Sequence, residues 1–410
     1  MNKPIINTDQ VIWVAMDIAK RKNDVLIEWP DGKQKKLKIN NIQQDYRKFI
    51  GYLLSFKLPC VAGLEATSNY HRPIAYWLQQ ASFTVKLISS FAACKTREAL
   101  HNSWDKNDPK DTRVILHLLK TGVVQTYYDP LINQCNDIQE ISKTYKQISL
   151  RKVRVQHSIM NHYLPLYFPE VEKYFHSSRA LWFSSFLSHF PTPNTVTQYS
   201  FDEFEEAAWK ISGRKVNKKS WLLDFYQTAQ QSIGLPVDNN SQAVAMFRTI
   251  LKEHQELCQL MVTIETTAKN FLGNNQDYGF LQSIPGIGPI IALTVLAEAG
   301  DLRRFNHYRQ FLKFCGFDLS THQSGRFRGQ SKLSKFGNAR LRYAFWIAGT
   351  VAIRMRENTF RKKFENYIKN DPLDADLKRK GYSAVAAKMA RVAYGVVKHQ
   401  TNYRCYYENR

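Results

Sequence analysis

The first 125 residues alternate between short apolar segments and amphipathic segments, and few folds accommodate this pattern. The run Val11-Ile-Trp-Val-Ala-Met-Asp-Ile-Ala is apolar and partly β-branched, which predicts a buried strand with Asp17 near its end. A Pro-Asp-Gly turn separates the segments Asp24–Trp29 and Lys33–Asn40 and predicts a hairpin. Further strand or helix patterns follow over residues 45–55, 60–65, 70–80, 83–88 and 110–120. Strands that precede and then alternate with helices predict an α/β sheet domain over residues 1–125.

The remainder of the chain has helical patterns almost throughout. Two long polar helical segments, from Asp137 to about Tyr163 and from Ser241 to about Leu272, predict a helical arm over residues 126–276. These helices could pair antiparallel as a coiled coil. Residues 165–240 between them are broken by Pro, Ser and Asn and are interpreted as a helical insert. Residues 277–410 predict a mostly helical domain, so the fold class is α/β plus α.

The chain is strongly basic, with 58 Lys and Arg against 35 Asp and Glu, a net charge of +23. The excess is uneven, because Asp301–Arg410 holds 24 Lys and Arg against 8 Asp and Glu, a net charge of +16. Such a charge indicates a nucleic-acid partner. No uninterrupted apolar run reaches the length that spans a bilayer, and the N-terminus lacks the apolar stretch of a secretory signal. We therefore expect no membrane partner and a cytoplasmic location.

Four carboxylates are candidate metal ligands. Asp17 and Glu65 each end a predicted strand, and Asp108 and Asp111 stand three residues apart at a predicted helix start. That spacing puts the last two on one helix face, which could close a cluster at the sheet edge. Gathering four acids costs repulsion that Mg²⁺ relieves, and such ions promote phosphoryl transfer. The alternative is that each acid only caps a turn or a helix N-terminus.

Two features of the last domain predict contacts with DNA. In Ile284-Pro-Gly-Ile-Gly-Pro, Gly286 and Gly288 would let backbone N–H groups approach a phosphate, as in a helix-hairpin-helix module, although an ordinary glycine turn has the same composition. Ser324 is a candidate nucleophile if a metal or base activates it and cations stabilise the phosphorane; otherwise it is a loop serine. The predicted phosphate-binding cations that follow it are Arg326, Arg328, Lys332, Lys335, Arg340 and Arg342.

Three stretches together resemble a known family. They are Val14-Ala-Met-Asp-Ile-Ala-Lys with Gly63-Leu-Glu-Ala-Thr-Ser-Asn-Tyr, then Lys106-Asn-Asp-Pro-Lys-Asp-Thr-Arg, and finally Ser283-Ile-Pro-Gly-Ile-Gly-Pro with Gln323-Ser-Gly and Ser334-Lys-Phe-Gly-Asn-Ala-Arg-Leu-Arg. The chain is similar to the DEDD-type transposases of bacterial insertion sequences, which act as bridge-RNA-guided serine recombinases and are related to the pilin-gene invertase.

The resemblance implies more than the residues alone. It implies a RuvC-like (RNase H type) fold for the first domain, with Mg²⁺ bound by Asp17, Glu65, Asp108 and Asp111. It implies that Ser324 attacks DNA and forms a phosphoserine link, with Ser320 as the fallback nucleophile. The implied partners are donor and target DNA, a structured non-coding guide RNA, and further copies of the chain, from a dimer to a tetramer.

Two other functions remain open. A RuvC-like Mg²⁺-dependent nuclease would use water as its nucleophile and would have no need of Ser324. A non-catalytic DNA- or RNA-binding protein would need neither the acids nor the serine. The basic composition is compatible with all three functions, so the choice among them depends on the acids and the serine.

Overall fold

The computed structural model describes residues 10–66, 68–101, 108–175, 180–213, 216–320, 323–324, 327–329, 331–356 and 358–405. Within these ranges the side chains of residues 101, 108, 109, 180, 181, 323, 324, 327 and 328 are outside the description. The chain divides into two compact units, Met1–Gln134 and Cys135–Arg410. The predicted division into three domains, at residues 125 and 276, stays a prediction.

The first unit is an α/β unit built on one mixed sheet. Its elements in chain order are β1 (Ile12–Asp17), β2 (Lys22–Glu28), β3 (Gln34–Asn40), α1 (Gln43–Leu54), β4 (Cys60–Glu65), α2 (His71–Gln80), β5 (Thr84–Ile88), α3 (Ser90–His101), α4 (Asp108–Lys120) and β6 (Gln125–Thr126). The six-stranded sheet has the order β3-β2-β1-β4-β5-β6. β1, β2 and β3 are antiparallel neighbours, β1, β4 and β5 are parallel, and β6 is antiparallel to β5. The predicted mixed α/β sheet is confirmed.

Each face of this sheet has its own apolar layer, because successive side chains on a strand point to opposite faces. One layer contains Met16 and Leu64 of the central strands, packed with buried residues of α1 and α2 such as Phe49 and Ile74. The opposite layer contains Ala15 and buried residues of α4. The sheet is therefore covered by helices on both sides, and its central parallel strands read as near-continuous apolar runs for that reason.

The second unit is almost entirely helical. Its helices are α5 (Asn136–Ser158), α6 (Leu164–Tyr167), α7 (Ala180–His189), α8 (Pro193–Thr197), α9 (Phe201–Ile211), α10 (Lys218–Gln230), α11 (Gln242–Leu272), α12 (Gln276–Gln282), α13 (Pro289–Ala299), α14 (Tyr308–Cys315), α15 (Ala339–Arg354), α16 (Thr359–Ile368) and α17 (Ala375–His399). The described residues between α14 and α15 include the two-residue strands β7 (Leu319–Ser320), β8 (Gln323–Ser324), β9 (Phe327–Arg328) and β10 (Lys332–Leu333). In the part of the chain that the structure describes, no helix is long and apolar enough to cross a membrane.

The two long helices of the second unit run antiparallel, as the sequence predicts. The ring of Tyr163, beyond the end of α5, stacks on Phe247 near the start of α11, with 4.9 Å between ring centroids. Ile138 and Ile141 at the start of α5 pack in the same core as Leu272, which ends α11. The coiled-coil packing of this pair stays a prediction.

A π-helical segment, Ile159–Tyr163, joins α5 to α6, and the amide of Leu164 donates to the carbonyl of Ile159. Pro165 explains this wide turn. Its ring would clash with the carbonyl four residues earlier, and it has no N–H to donate. The extra residue in the turn relieves that clash and lets the helix continue to the insert.

The insert has an aromatic core of its own. Among its described residues, five phenylalanines are completely buried: Phe168, Phe183, Phe186, Phe204 and Phe225. The edge of Trp221 packs on Phe186 with 5.1 Å between ring centroids. The sequence predicts helices over 165–240 but not this core. Phe168 follows α6 and the other aromatic residues are spread over α7, α9 and α10, so they form no long periodic run.

His254 of α11 is fully buried beside this core, where Ser184 Oγ lies 2.8 Å from its Nδ1. Burial lowers the pKa of this imidazole from 6.5 to about 4, and the positive charge of Lys152 acts in the same direction. His254 therefore becomes protonated near pH 6.5 in the unfolded chain but only near pH 4 in the folded chain. The contribution of His254 to the free energy of unfolding is fully present above pH 6.5 and is lost as the pH falls from 6.5 towards 4.

We expect the free energy of unfolding to fall by about 3 kcal/mol between these two pH values on account of His254. Urea unfolding at a series of pH values would measure the slope. His254→Gln keeps a hydrogen-bonding side chain but removes the titration, so its slope should be shallower than that of the wild type. His157→Gln, at an exposed position of α5, should keep the wild-type slope. Equal slopes in wild type and His254→Gln would contradict the assignment.

Candidate functional site

Asp17 and Glu65 end two adjacent parallel strands at the same level. Met16 of β1 is paired with Leu64 of β4, so the next residue on each strand is one of these two acids. Neighbouring strands are about 4.8 Å apart, which brings the two backbones close together. Because Met16 and Leu64 belong to the apolar layer on one face, strand alternation puts both acids on the other face. The structure therefore brings together two of the predicted acids.

Helix α4 covers this same face of the sheet. Gly63, two residues before Glu65, leaves room for Leu119 of α4, whose Cδ2 would be 3.1 Å from a Cβ at that position. The helix begins at Asp108 and carries Asp111 in its first turn. All four predicted acids thus belong to the elements that meet at this face, although the side chain of Asp108 is outside the described residues.

Asp111 is almost completely buried and is paired with Arg97 of α3, whose Nε donates to Oδ1 at 2.6 Å. Removing one partner of a buried ion pair leaves an uncompensated charge, so Arg97 stabilises the carboxylate of Asp111. Neither α3 nor this arginine is predicted from the sequence. A basic residue fourteen positions from an acid has no helical spacing that would reveal the pair.

Asp24 is an acid at this face that the sequence analysis missed. It is the register partner of Asp17 across β1 and β2, and its Oδ1 lies 3.5 Å from Nζ of Lys38. The alternation of β2 could have identified it, because directly opposed residues in antiparallel strands point to the same face. Among the described side chains, no three His, Cys, Asp or Glu residues are grouped closely enough to hold a metal ion.

The glycine hairpin lies between α12 and α13, and its two glycines have different structural roles. Gly286 has a φ of +89°, and a Cβ there would lie 2.2 Å from the carbonyl oxygen of Ala348 in α15. Gly288 precedes Pro289 at the start of α13, and a Cβ there would meet nothing within 4 Å. Close packing on α15 therefore requires Gly286, whereas only Gly288 has open space beside it for another molecule.

We expect Gly286→Ala to lower the free energy of unfolding by at least about 2 kcal/mol, because it combines an unfavourable backbone conformation with a backbone clash. Gly288→Ala should change it by less than about 0.5 kcal/mol, since a methyl group fits there. Thermal and urea unfolding of both variants would measure the difference. Equal stability of the two variants would show that the hairpin is not packed in this way.

Ser324 ends β8 in a nested β-ribbon. The outer pair is β7 with β10, where Ser320 is level with Lys332, and the inner pair is β8 with β9, where Ser324 is level with Phe327. Ser320 Oγ donates to the carbonyl oxygen of Lys332 at 3.2 Å. The predicted nucleophile thus belongs to the inner pair, and the hydroxyl of its alternative is engaged in the outer pair.

Two of the predicted phosphate-binding arginines form hydrogen bonds or ion pairs within the second unit. Arg342 donates to the carbonyl oxygens of Cys315, before the ribbon, and Lys335, after it, at 3.4 and 3.1 Å. Arg340 pairs with Glu298 and also donates to Ser142 Oγ at 3.0 Å. The sequence predicts that both contact DNA phosphates, whereas these protein partners give each arginine a structural role.

The remaining predicted cations are less constrained by the protein. Lys332 and Lys335 have exposed side chains. Arg326 lies outside the described residues, and of Arg328 only the backbone, in β9, is described. The two lysines are therefore the predicted phosphate contacts that the described structure leaves most accessible.

Comparison with known proteins indicates the class of protein. Residues 14–169 match a family model described as a transposase, of the DEDD type named for IS110, and residues 278–365 match the transposase IS116/IS110/IS902 family. The first match contains the four acids and the second contains the glycine hairpin and Ser324.

Two relatives agree with these matches. The transposase for insertion sequence element IS1111A of Coxiella burnetii is 28% identical over 181 residues, which are 43% of this chain and 47% of that protein. A second relative is the mini-circle transposase for IS117 of Streptomyces coelicolor. It is 24% identical over 333 residues, which are 77% of this chain and 78% of that protein. The chain thus spans about half the length of the first relative. Each of these matches shows a similarity of this chain to transposases of the IS110/IS116 type.

Proposed function

We propose that the chain is a DNA transposase of a bacterial insertion sequence that cuts and rejoins DNA through the acids of its first unit and Ser324 of its second. The observation that carries this proposal is the placement of Asp17 and Glu65, which end adjacent parallel strands at one level under α4. The strand order, with three antiparallel strands followed by two parallel ones, supports a RuvC-like (RNase H type) fold for this unit.

The donor set fits Mg²⁺. Carboxylate oxygens are the ligands that this hard cation prefers, and Asp17 and Glu65 supply them from one face, with Asp111 and Asp108 on the covering helix. When bound, Mg²⁺ would polarise a phosphodiester and stabilise charge on the attacking and leaving oxygens. Asp17 and Glu65 would orient the phosphate at the sheet edge, and Arg97 would hold the side chain of Asp111 in position through its hydrogen bond to Oδ1.

Ser324 is proposed as the nucleophile. Its Oγ would form a bond to phosphorus while the bond from phosphorus to one deoxyribose oxygen breaks. The serine proton is released to a base, and the leaving oxygen is protonated to a hydroxyl. The phosphoserine link conserves the energy of the phosphodiester, so attack by a DNA hydroxyl would rejoin strands without a cofactor. Lys332 and Lys335 would neutralise the phosphates nearby.

The guide is proposed to be a structured non-coding RNA that pairs with donor and target DNA, and the working assembly a dimer to tetramer. The net charge of +16 over Asp301–Arg410 supports binding to nucleic acid by shape and phosphate. Recognition of this kind leaves the choice of sequence to base pairing, in agreement with a surface dominated by cations.

Trapping the covalent intermediate tests this function. The full chain would be incubated with Mg²⁺, the element's own transcribed flanking RNA and a nicked suicide DNA substrate that prevents rejoining. Mass spectrometry of the digested adduct should place a nucleotide on Ser324. Cleaved DNA without any adduct would instead indicate that water is the nucleophile, as in the alternative RuvC-like nuclease.

A further inference from the structure

A strip of aromatic rings crosses three helices of the second unit. Tyr343 and Trp346 of α15 are nearly parallel, with centroids 6.4 Å apart and planes inclined by 17°. Trp346 lies 6.2 Å from Tyr382 of α17, and Tyr382 stacks on Phe364 of α16 at 4.7 Å. Phe364 is buried, but Tyr343 is 55% exposed and Trp346 39% exposed. Exposed aromatic side chains that lie side by side form a contiguous apolar patch, and such a patch on a folded unit indicates a binding surface.

Lysines accompany the rings of this aromatic strip. Nζ of Lys146 on α5 lies 5.0 Å from the centroid of Tyr343. Lys378 is one helical turn before Tyr382, a spacing that makes their side chains neighbours. Within the described residues, neither lysine has an acidic partner. The nearby acids Glu365 and Asp376 are paired instead with Arg361 and Arg379, at 2.8 and 2.6 Å.

We propose that the aromatic strip is a stacking platform for unpaired nucleotides, with Tyr343 and Trp346 stacking on bases and Lys146 and Lys378 contacting phosphates. Base–aromatic stacking tolerates any base sequence, and adjacent cations follow the backbone of a single strand. This inference rests on the proposed function and deepens it, because unpaired nucleotides occur both in a structured guide RNA and in opened DNA.

Charge favours a nucleic acid over a second copy of the chain as the occupant. Residues 339–405 contain 15 Lys and Arg against 5 Asp and Glu. A two-fold symmetric dimer through the strip would place one positively charged rim against another. A polyanion is attracted by the same charges, and its bases supply flat apolar faces for the rings.

Binding of fluorescein-labelled oligothymidylate, oligouridylate of the same length and a blunt DNA duplex to the full chain would test the proposal. The double variant Tyr343→Ala/Trp346→Ala should weaken binding of single strands at least about tenfold and binding of the duplex less than about twofold. Tyr343→Phe/Trp346→Phe should restore most of the affinity, because the rings remain. Tighter binding of the oligouridylate would identify RNA as the occupant, and tighter binding of the oligothymidylate would identify DNA.

The chain offers a matched control at Trp209. This residue is also exposed and has Lys218 Nζ 4.7 Å from its ring, but it lines a pocket with Asp202, Glu205 and Glu206. Trp209→Ala should leave binding of single strands unchanged. Lys146→Ala, which removes no buried side chain, should weaken it a few-fold and lower the slope of log affinity against log salt by about one.

Three results would overturn the inference. The first is that the alanine double variant binds both single-stranded probes as tightly as the wild type does. The second is that this variant changes the oligomeric mass in sedimentation without changing affinity for nucleic acid, and the strip would then be a protein interface. A wild-type chain that binds neither single strands nor duplex would overturn the proposed function as well, so failure of the larger proposal is recognisable separately.

Discussion

Replacing Ser324 with alanine is expected to abolish the covalent link between protein and DNA and to lower strand cleavage by at least about a thousandfold. The reason is chemical: the variant has no oxygen to attack phosphorus, whereas binding groups and acids remain, and loss of a nucleophile is among the most costly single changes in an enzyme. Denaturing gels of end-labelled DNA would measure both the adduct and the cut.

Ser320→Ala is the matched control for this change. Ser320 is four residues earlier, in the outer pair of the same ribbon, and its hydroxyl is bonded to the carbonyl oxygen of Lys332. Its removal should leave adduct formation within about threefold of the wild type, since only one neutral hydrogen bond is lost. A reversal of the two phenotypes would make Ser320 the nucleophile. Full cleavage by Ser324→Ala would show that water attacks, as in a RuvC-like nuclease.

The first unit was largely predictable from the sequence, for an identifiable reason. The central strands β1 and β4 are buried on both faces, so their limits are visible as apolar runs. The pairing of these parallel strands then brings Asp17 level with Glu65. The pairing of Arg97 with Asp111 was not predictable, because it joins two helices through long-range packing with no local spacing.

In the second unit, the roles of individual side chains could not be predicted from the sequence. The excess of arginine after Ser324 predicted phosphate contacts uniformly, but Arg342 is directed at the carbonyl oxygens of Cys315 and Lys335. Composition cannot separate an arginine that binds backbone from one that binds phosphate, since both use the same donors. Likewise, Tyr343 and Trp346 have the residue types of a core, and only their exposure identifies a surface.

Replacing Asp17 with asparagine is expected to lower Mg²⁺-dependent DNA cleavage by at least about a hundredfold. The substitution keeps the size of the side chain but removes one negative charge and one anionic oxygen from the end of β1. A metal-stabilised phosphoryl transfer depends on such ligands by several kcal/mol. A Mg²⁺ titration should show that the variant needs more metal for half-maximal cleavage, an effect that a purely structural role of Asp17 would not produce.

Asp31→Asn removes the same charge from the same unit at an exposed turn, where Asp31 pairs with Lys33. It should cut DNA as the wild type does and show an unchanged Mg²⁺ requirement. Glu65→Gln should behave like Asp17→Asn, because the two acids are level on adjacent strands of the sheet. If Asp17→Asn and Asp31→Asn cut DNA equally well at every Mg²⁺ concentration, the carboxyl end of β1 is not the catalytic edge. Asp17 would then only terminate its strand, and the cleavage would depend on other residues of the chain.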